Sequence, residues 1–428
     1  MMDCRTAALK IIYDTFENDS FLNIAYKNLT EKEGYKGRDA SFIKELSFGT
    51  VKHKITIDHI IFQFVNNKKK ISPYILNILR LGVYQLFFTD KIPQSAAVNE
   101  SVKLAAKFGK GAEKGFVNAV LRNILRGKIN MPKKTDKDYL SVTYSFTPSM
   151  TGALKKAYGA DFAEEIMKAS NEPAEISVRV NSLKTNRDEL ISLLNEKGIE
   201  AEKSEKTPHG IKILTGANLQ NTSLYKNGYF TVQDTASQLA ALELCPKKGE
   251  CVLDLCASPG GKTTYMAELM KNEGVIYAYD LYEKRINSVK EAAERLGLSI
   301  IKCEARNSTE VIEEFLGKAD KVLLDAPCSG WGVIRRKPDI KYKSENTDYK
   351  ELTLVQKELI RTASKYLKRG AELLYSTCTL NKGENEKIVE GFLSENEDFE
   401  LISMKTYFPN TDGFDGFFVS KIRRKTEE

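Results

Sequence analysis

Three different spacings of apolar residues divide this chain. Up to about residue 130 they recur every three to four positions, as in A-A-L-K-I-I-Y-D-T-F, S-F-I-K-E-L-S-F-G-T-V and I-L-N-I-L-R-L-G-V-Y-Q-L-F-F. That period is one face of an α-helix, so residues 1–130 predict a bundle of packed amphipathic helices. The polar stretch M-P-K-K-T-D-K-D, residues 131–138, reads as the linker that ends it. From 140 to 235 the pattern is mixed, with a strand-like I-S-V-R-V-N, a helical R-D-E-L-I-S-L-L-N-E-K-G, and short strands around G-I-K-I-L and Y-F-T-V-Q. A small α+β domain is expected there. From 236 to 428 apolar strands alternate with helices: E-C-V-L-D-L, G-V-I-Y-A-Y-D, S-I-I-K-C-E, K-V-L-L-D-A, A-E-L-L-Y-S-T and G-F-F-V-S-K-I. Strict alternation predicts a doubly wound, mostly parallel α/β sheet of the Rossmann type. Ligands of such sheets bind beyond the carboxyl ends of the strands.

Composition adds constraints. With 428 residues and 42 % hydrophobic content, the chain can bury several cores. No apolar stretch approaches the roughly 20 residues that span a bilayer, and M-M-D-C-R-T lacks the order of a secretory signal. A cytoplasmic protein without a membrane partner is expected. The seven cysteines (4, 245, 251, 256, 303, 328, 378) are odd in number and form no C-x-x-C pair, which argues for free thiols and against a structural metal. With three histidines (53, 59, 209) a histidine-based triad is hard to assemble.

Charge is uneven. Residues 51–138 carry 17 Lys/Arg against 6 Asp/Glu, while the whole chain is only +7. A basic helical module suggests a polyanionic partner, because neutralising phosphates releases counterions. Lys107, Lys110, Lys114, Arg122 and Arg126 are the candidates to meet phosphates; the alternative is a lysine-rich solvated surface. In the middle domain, Arg179 and Asn181 are either surface polar positions or ligand contacts.

After the strand C-V-L-D-L comes C-A-S-P-G-G-K-T, residues 256–263, a glycine turn that leads into a helix. Such a turn lets a nucleotide-like ligand approach the backbone. A Walker A loop would need glycine at Cys256, and the dinucleotide spacing G-x-G-x-x-G is also absent. The next strand ends in Asp280, where a carboxylate can accept from both ribose hydroxyls; its other reading is a helix N-cap. Together they suggest an adenosine-type cofactor without a pyrophosphate, of which S-adenosylmethionine is the commonest.

The fourth strand ends in L-L-D-A-P-C-S-G-W-G-V and the fifth in S-T-C-T, which brings Asp325, Cys328 and Cys378 to one sheet edge. A lone cysteine is most often a buried one, but two thiols and a carboxylate at a cofactor edge have a chemical use. C5 of a pyrimidine becomes enamine-like once a thiolate adds at C6, and can then attack a sulfonium methyl. A carboxylic acid at N3 would neutralise the charge that develops there, a role open to Asp325. The letters D-A-P-C, in place of the Asn/Asp-Pro-Pro-aromatic element of amino-group methyltransferases, shift the target to ring carbon.

D-A-P-C-S-G, S-T-C-T and C-A-S-P-G-G-K-T together resemble the RNA cytosine-C5 methyltransferase family. V-R-V-N, V-Q-D-T-A-S-Q and I-R-R-K-P-D-I-K-Y are similar to its bacterial branch that acts on small-subunit (16S) ribosomal RNA. The resemblance covers essentially the whole chain. It implies a NusB-like helical RNA-binding domain (1–130), a small middle domain (140–235) and a class I methyltransferase domain (236–428). It also implies that Cys378 attacks C6, Cys328 assists release and Asp325 contacts the cytosine. S-adenosylmethionine would be held by Cys256, Ala257, Ser258, Pro259, Gly260, Gly261, Lys262 and Asp280. Where the family usually has D-A-R or D-G-R, this chain has E-A-R at 304–306, which leaves Glu304 or Asn307 to reach the adenine edge. Y-S-F-T-P replaces a usual Y-S-H-P and concerns the middle domain. A monomer is expected. The competing readings are a transfer RNA methyltransferase, a non-catalytic RNA-binding factor on a methyltransferase fold, and a DNA cytosine-C5 enzyme using the Pro-Cys thiol.

Overall fold

A computed structural model describes residues 2–66, 70–216 and 218–426. Seven helices occupy the region of helical spacing: Cys4–Glu17, Leu22–Glu33, Gly37–Lys52, Lys54–Phe62, Pro73–Phe87, Gln94–Phe108 and Glu113–Arg126. Local chemistry marks their ends. Asp3 caps the first by accepting from the Thr6 amide at 2.9 Å, and proline begins the fifth, where an amide hydrogen would have no partner. Ile78, Leu79, Leu81 and Val83 of that fifth helix are fully buried on several faces, as an apolar helix at the centre of a bundle must be. Truncating one, as in Leu81→Ala, removes about 2–5 kcal/mol.

This helical unit extends further than the sequence suggests. Among the described residues it runs to Asn171, including the helices Tyr139–Tyr144, Pro148–Tyr158 and Ala160–Ala169, and also takes in Ile334–Asn346. The expected domain boundary near 140 is therefore not a boundary between compact units. The late segment, read only as I-R-R-K-P-D-I-K-Y, is tied into the helical unit by buried polar bonds. Lys341 Nζ donates to the carbonyls of Lys52 and Tyr144 at 3.1 Å each, and to Asn171 Oδ1 at 2.7 Å. Asp339 accepts from the Leu22 amide at 3.1 Å. Burial pushes the Lys341 ammonium well below its usual pKa, with Lys52 adding to the shift.

The second unit comprises Glu172–Val333 and Thr347–Glu428. Its smaller sheet has strands β1 (Ile176–Val180), β2 (Ala201–Lys203), β3 (Gly210–Ile213) and β4 (Phe230–Val232), in the order β2-β3-β1-β4 and antiparallel throughout. Its larger sheet has β5 (Cys251–Asp254), β6 (Val275–Asp280), β7 (Ile301–Ala305), β8 (Ala319–Asp325), β9 (Leu367–Thr377), β10 (Phe399–Tyr407) and β11 (Phe417–Arg424). The order is β10-β11-β9-β8-β5-β6-β7. β5 to β9 run parallel, while β11 returns antiparallel to β9 and β10 antiparallel to β11. Because β6 and β8 flank β5, the strand order reverses there, and the switch point opens between the ends of β5 and β8.

Arg179 joins the two sheets. It is fully buried on β1 and spends its guanidinium on Glu268 (2.8 and 3.2 Å), Thr264 Oγ1 (3.2 Å), the Gly261 carbonyl (2.8 Å) and Gln233. Its guanidinium carbon also lies 4.5 Å from the centre of the Tyr265 ring. Asn181, also fully buried, donates to the carbonyls of Gly228 and Leu296 at 2.9 Å each. Neither residue is a surface position; both are internal ties, and Arg179 grips the start of the helix that follows the glycine turn.

Candidate active site

Two groups of side chains meet at the switch point. The first surrounds the turn after β5. Asp254, at the end of that strand, is 1 % exposed, and its Oδ2 accepts from Thr263 Oγ1 at 2.7 Å. Burial, with the nearby Asp325 charge, pushes its pKa up to about 7 against the Thr263 hydrogen bond. Gly260 turns the chain at φ +98°, a left-handed conformation that glycine adopts without a Cβ penalty. Gly261 then starts the helix Gly261–Leu269.

A cavity of about 210 Å³ opens beside this turn. Cys256, Ala257, Ser258, Pro259, Gly261, Lys262 and Asp325 line it, and so do Asp254 and the segment Val232, Gln233, Asp234 and Ser237. Two buried polar atoms on its wall have no hydrogen-bond partner, Gln233 Nε2 and Asp254 Oδ1. Such atoms cost about 1–3 kcal/mol each if left unpaired. One donor and one acceptor on residues that line the same small cavity suit a ligand with a carboxylate and an ammonium, which is the amino-acid end of S-adenosylmethionine.

Asp280 lies outside that lining, at the end of β6. It is 3 % exposed, accepts from the Ser258 amide at 3.3 Å, and pairs with Arg285 at 3.3 Å. The turn and the acid are thus joined by a backbone contact. Gly260 is also off the lining. Glu304 turns outward to Arg306 at 3.4 Å with its side chain 58 % exposed, and Asn307 Oδ1 accepts from the Thr309 amide and hydroxyl. The structure does not bring these last two to the cavity. Cys256 is no nucleophile: burial, then the charges of Asp254 and Asp325, push its thiol far up.

The second group holds the other two thiols. Asp325 on β8 is in register with Ser376 on β9, so the loops beyond both strands start side by side. Cys328 Sγ and Cys378 Sγ are 3.3 Å apart. Gly332 helps set this closeness: its amide donates to the Cys378 carbonyl at 2.9 Å, and a Cβ there would fall 1.8 Å from the Gly416 oxygen. Asp325 accepts from Ser376 Oγ at 2.7 Å and from Lys262 Nζ at 2.6 Å. Burial alone would lower the Lys262 pKa, but the Asp325 carboxylate and its hydrogen bond, then Cys378, outweigh it and raise it. The hydrogen bond to Cys378, then burial and the charges of Cys378, Glu384 and Asp325, hold the Cys328 thiol protonated well above the usual range.

The sequence reading did not assign Asp254, Gln233 or Glu384. Asp254 had a signal, a carboxylate inside the apolar run C-V-L-D-L; Gln233 had none beyond its place in V-Q-D-T-A-S-Q. Among the described residues no group of three or more His, Cys, Asp or Glu could hold a metal ion, and no helix is long and apolar enough to cross a membrane.

Comparison with known proteins points in one direction. Residues 241–423 match the model of the 16S rRNA methyltransferase RsmB/F family, residues 2–126 the NusB family, and residues 150–220 the ferredoxin-like domain of RsmF/B-like methyltransferases. The chain is 35 % identical to a Bacillus subtilis protein named "Probable ribosomal RNA small subunit methyltransferase B", over 98 % of each. It is 32 % identical to the Proteus mirabilis ribosomal RNA small subunit methyltransferase B, again over 98 % of each. Among solved structures, a methyltransferase homolog from Pyrococcus horikoshii is 29 % identical, with a TM-score of 0.61, and covers 68 % of this chain and 100 % of its own.

Proposed function

Because the chain belongs to the RsmB/F family of 16S rRNA methyltransferases, we propose that it methylates C5 of a cytosine in small-subunit ribosomal RNA, with Cys378 as the nucleophile that adds to C6. The chain is an S-adenosylmethionine-dependent methyltransferase, and the two unpaired atoms of the cavity fit that cofactor. S-adenosylmethionine supplies a methyl group on a positively charged sulfur, ready for a carbon nucleophile.

The thiol pair carries the proposal. The two sulfurs lie 3.3 Å apart, close enough to share one proton, and the Lys262 ammonium adds positive charge near Cys378. Both favour the thiolate on Cys378. Its sulfur forms a bond to C6, and the C5–C6 π pair shifts toward C5. Asp325 is ion-paired with Lys262, so Lys262 Nζ can offer a proton to N3 while Asp325 orients it. Release reverses the addition: a base removes the C5 hydrogen, its electron pair restores C5–C6, and the S–C6 bond breaks. Once Cys378 is bonded to carbon, its share of the raised Cys328 pKa is gone, while burial and the charges of Glu384 and Asp325 remain. Cys328 can then ionise and serve as that base.

The DNA-type alternative would take Cys328 as nucleophile, and the two cysteine variants below distinguish it. The target cytosine must be unpaired or flipped out to reach the edge. The test is methylation of total RNA with labelled cofactor followed by mapping. Cys378→Ala is expected to lose at least about a thousandfold in turnover, and Cys328→Ala to accumulate a covalent RNA adduct. An adduct through Cys328, or near-normal Cys378→Ala, would reverse the roles. Label in transfer RNA alone would change the substrate.

A further inference from the structure

Glu384 forms no bond in the chemistry above, although its charge adds to the raised Cys328 pKa, and it is fully buried between the two loops that carry the thiols. Its Oε1 accepts from the Ser329 hydroxyl at 2.5 Å and from Asn381 Nδ2 at 2.9 Å. Its Oε2 accepts from the Ser329 amide at 2.8 Å and from Gln356 Nε2 at 3.2 Å. A buried carboxylate needs several donors to offset its lost hydration, and the placement of these four is informative. Gln356 Nε2 also donates to the Pro327 carbonyl at 2.8 Å, so Gln356 and Glu384 hold the peptide groups on both sides of Cys328. The Ser329 hydroxyl in turn lies 2.8 Å from Thr379 Oγ1, on the other loop.

Asn385 does the same for Cys378. The Thr377 hydroxyl donates to Asn385 Oδ1 at 2.5 Å, and Asn385 Nδ2 donates to the Thr379 carbonyl at 2.9 Å. One dipeptide just before the helix Glu386–Glu395 therefore grips the neighbours of both reactive cysteines.

We propose that Glu384 and Asn385 form a brace that fixes the separation of the two sulfurs, and that this separation governs how fast methylated RNA leaves Cys378. The second half rests on the thiol roles proposed above. Addition and release happen at adjacent ring atoms, so Cys328 must sit within proton-transfer reach of C5 while Cys378 is bonded to C6. A misplacement of about 1 Å can cost on the order of a hundredfold. Glu384 and Asn385 touch the residues beside the sulfurs and act through them, as positioning residues.

The full chain tests this with Glu384→Gln, Ser329→Ala, Cys328→Ala and, as a stability control, Ile388→Val in the core beneath the same helix. Turnover, cofactor KM and the fraction of enzyme in covalent RNA adduct are measured. So is the rate at which diamide, which takes two electrons and two protons from a thiol pair, joins Cys328 to Cys378, read by peptide mass spectrometry. Glu384→Gln is expected to lower kcat about tenfold or more with KM within about twofold. It should also accumulate adduct and slow the disulfide about tenfold. Ser329→Ala moves the same readouts less, and decides the matter if Glu384→Gln does not fold. Ile388→Val lowers the melting temperature only. Wild-type adduct level and disulfide rate in the folded variants would overturn the brace. If Cys328→Ala gave no adduct, the thiol roles would fail, while the disulfide rate, compared across pH so that a change in thiol ionisation is told apart from a change in sulfur separation, would still decide whether the brace exists.

Discussion

The two sides of the switch point solve opposite problems with similar residues. Beside β5, Asp254 and Gln233 are buried with a polar atom left unpaired. Beyond β8 and β9, Glu384 is equally buried but receives two donors on each carboxylate oxygen. Unpaired buried atoms cost stability until a ligand satisfies them, and fully bonded ones fix geometry. The first side is built to bind and the second to hold. What they share is support from behind: Arg179 secures the cofactor turn through the Gly261 carbonyl, as Glu384 secures the thiol loops.

The largest way to break this comparison is to remove the support behind the turn. Arg179→Met removes from the Glu268 carboxylate, whose pKa burial already raises against its arginine partner, its ion-pair partner and leaves only the Arg295 charge. The expected loss is about 3–5 kcal/mol of stability, seen as a lower melting temperature of the free protein. Adding Glu268→Gln should recover much of it, since the cost lies in the orphaned charge. Full recovery of cofactor affinity in the double variant would mean that the turn does not need the clamp.

A finer probe is Asp254→Asn. Charge-assisted hydrogen bonds contribute about 1.5–3 kcal/mol, so cofactor affinity, measured by calorimetry, should fall roughly 10- to 100-fold. The same change should stabilise the free protein above neutral pH. The Asp254 pKa rises on folding from 3.8 to about 7, so the native state binds the extra proton. Its contribution is complete below pH 4, and is lost as pH rises toward 7. An uncharged Asn removes that loss. Wild-type cofactor affinity should also climb with pH up to about 7, as the carboxylate ionises to meet an ammonium, and Asp254→Asn should flatten the curve. A pH-independent wild type would show that Asp254 Oδ1 is not the ammonium's partner.

Much of this edge was legible in the letters because its residues are adjacent in sequence to strand ends, and strand ends are readable from apolar runs. Cys328 and Cys378 follow V-L-L-D and L-L-Y-S-T by one to three residues, so their meeting followed from sheet order. β10 was not anticipated. F-E-L-I-S-M-K-T-Y mixes apolar and polar residues on an edge strand, where one neighbour suffices. The stretch I-R-R-K-P-D-I-K-Y, residues 334–342, gives no hint of its place, because nothing local says that Lys341 is buried among carbonyls 170 to 289 positions away. Glu384 was invisible for a related reason. In G-E-N-E it reads as a solvated charge, and only the fold supplies the donors.

The helical unit completes the contrast, since its candidate contacts are neither unpaired nor internally fixed. Lys107, Lys110, Lys114, Arg122 and Arg126 are all exposed, the first on the helix Gln94–Phe108 and the last three on Glu113–Arg126. Charges of that kind bind polyanions by releasing counterions, which makes each contact weak and salt-dependent. Arg122→Gln with Arg126→Gln should weaken RNA binding at low salt and reduce the slope of log K against log salt by roughly 0.7 for each, so that going from 50 to 200 mM salt costs the double variant about threefold less affinity per lost contact than the wild type. Asp254→Asn should leave that slope unchanged, because the cofactor proposed there would be held by buried hydrogen bonds. A double arginine variant with the wild-type slope would reduce the surplus of residues 51–138 to a solubilising surface. A changed slope in Asp254→Asn would mean that the cofactor turn also meets the RNA backbone, and the division between binding by unpaired atoms and binding by charge would have to be redrawn.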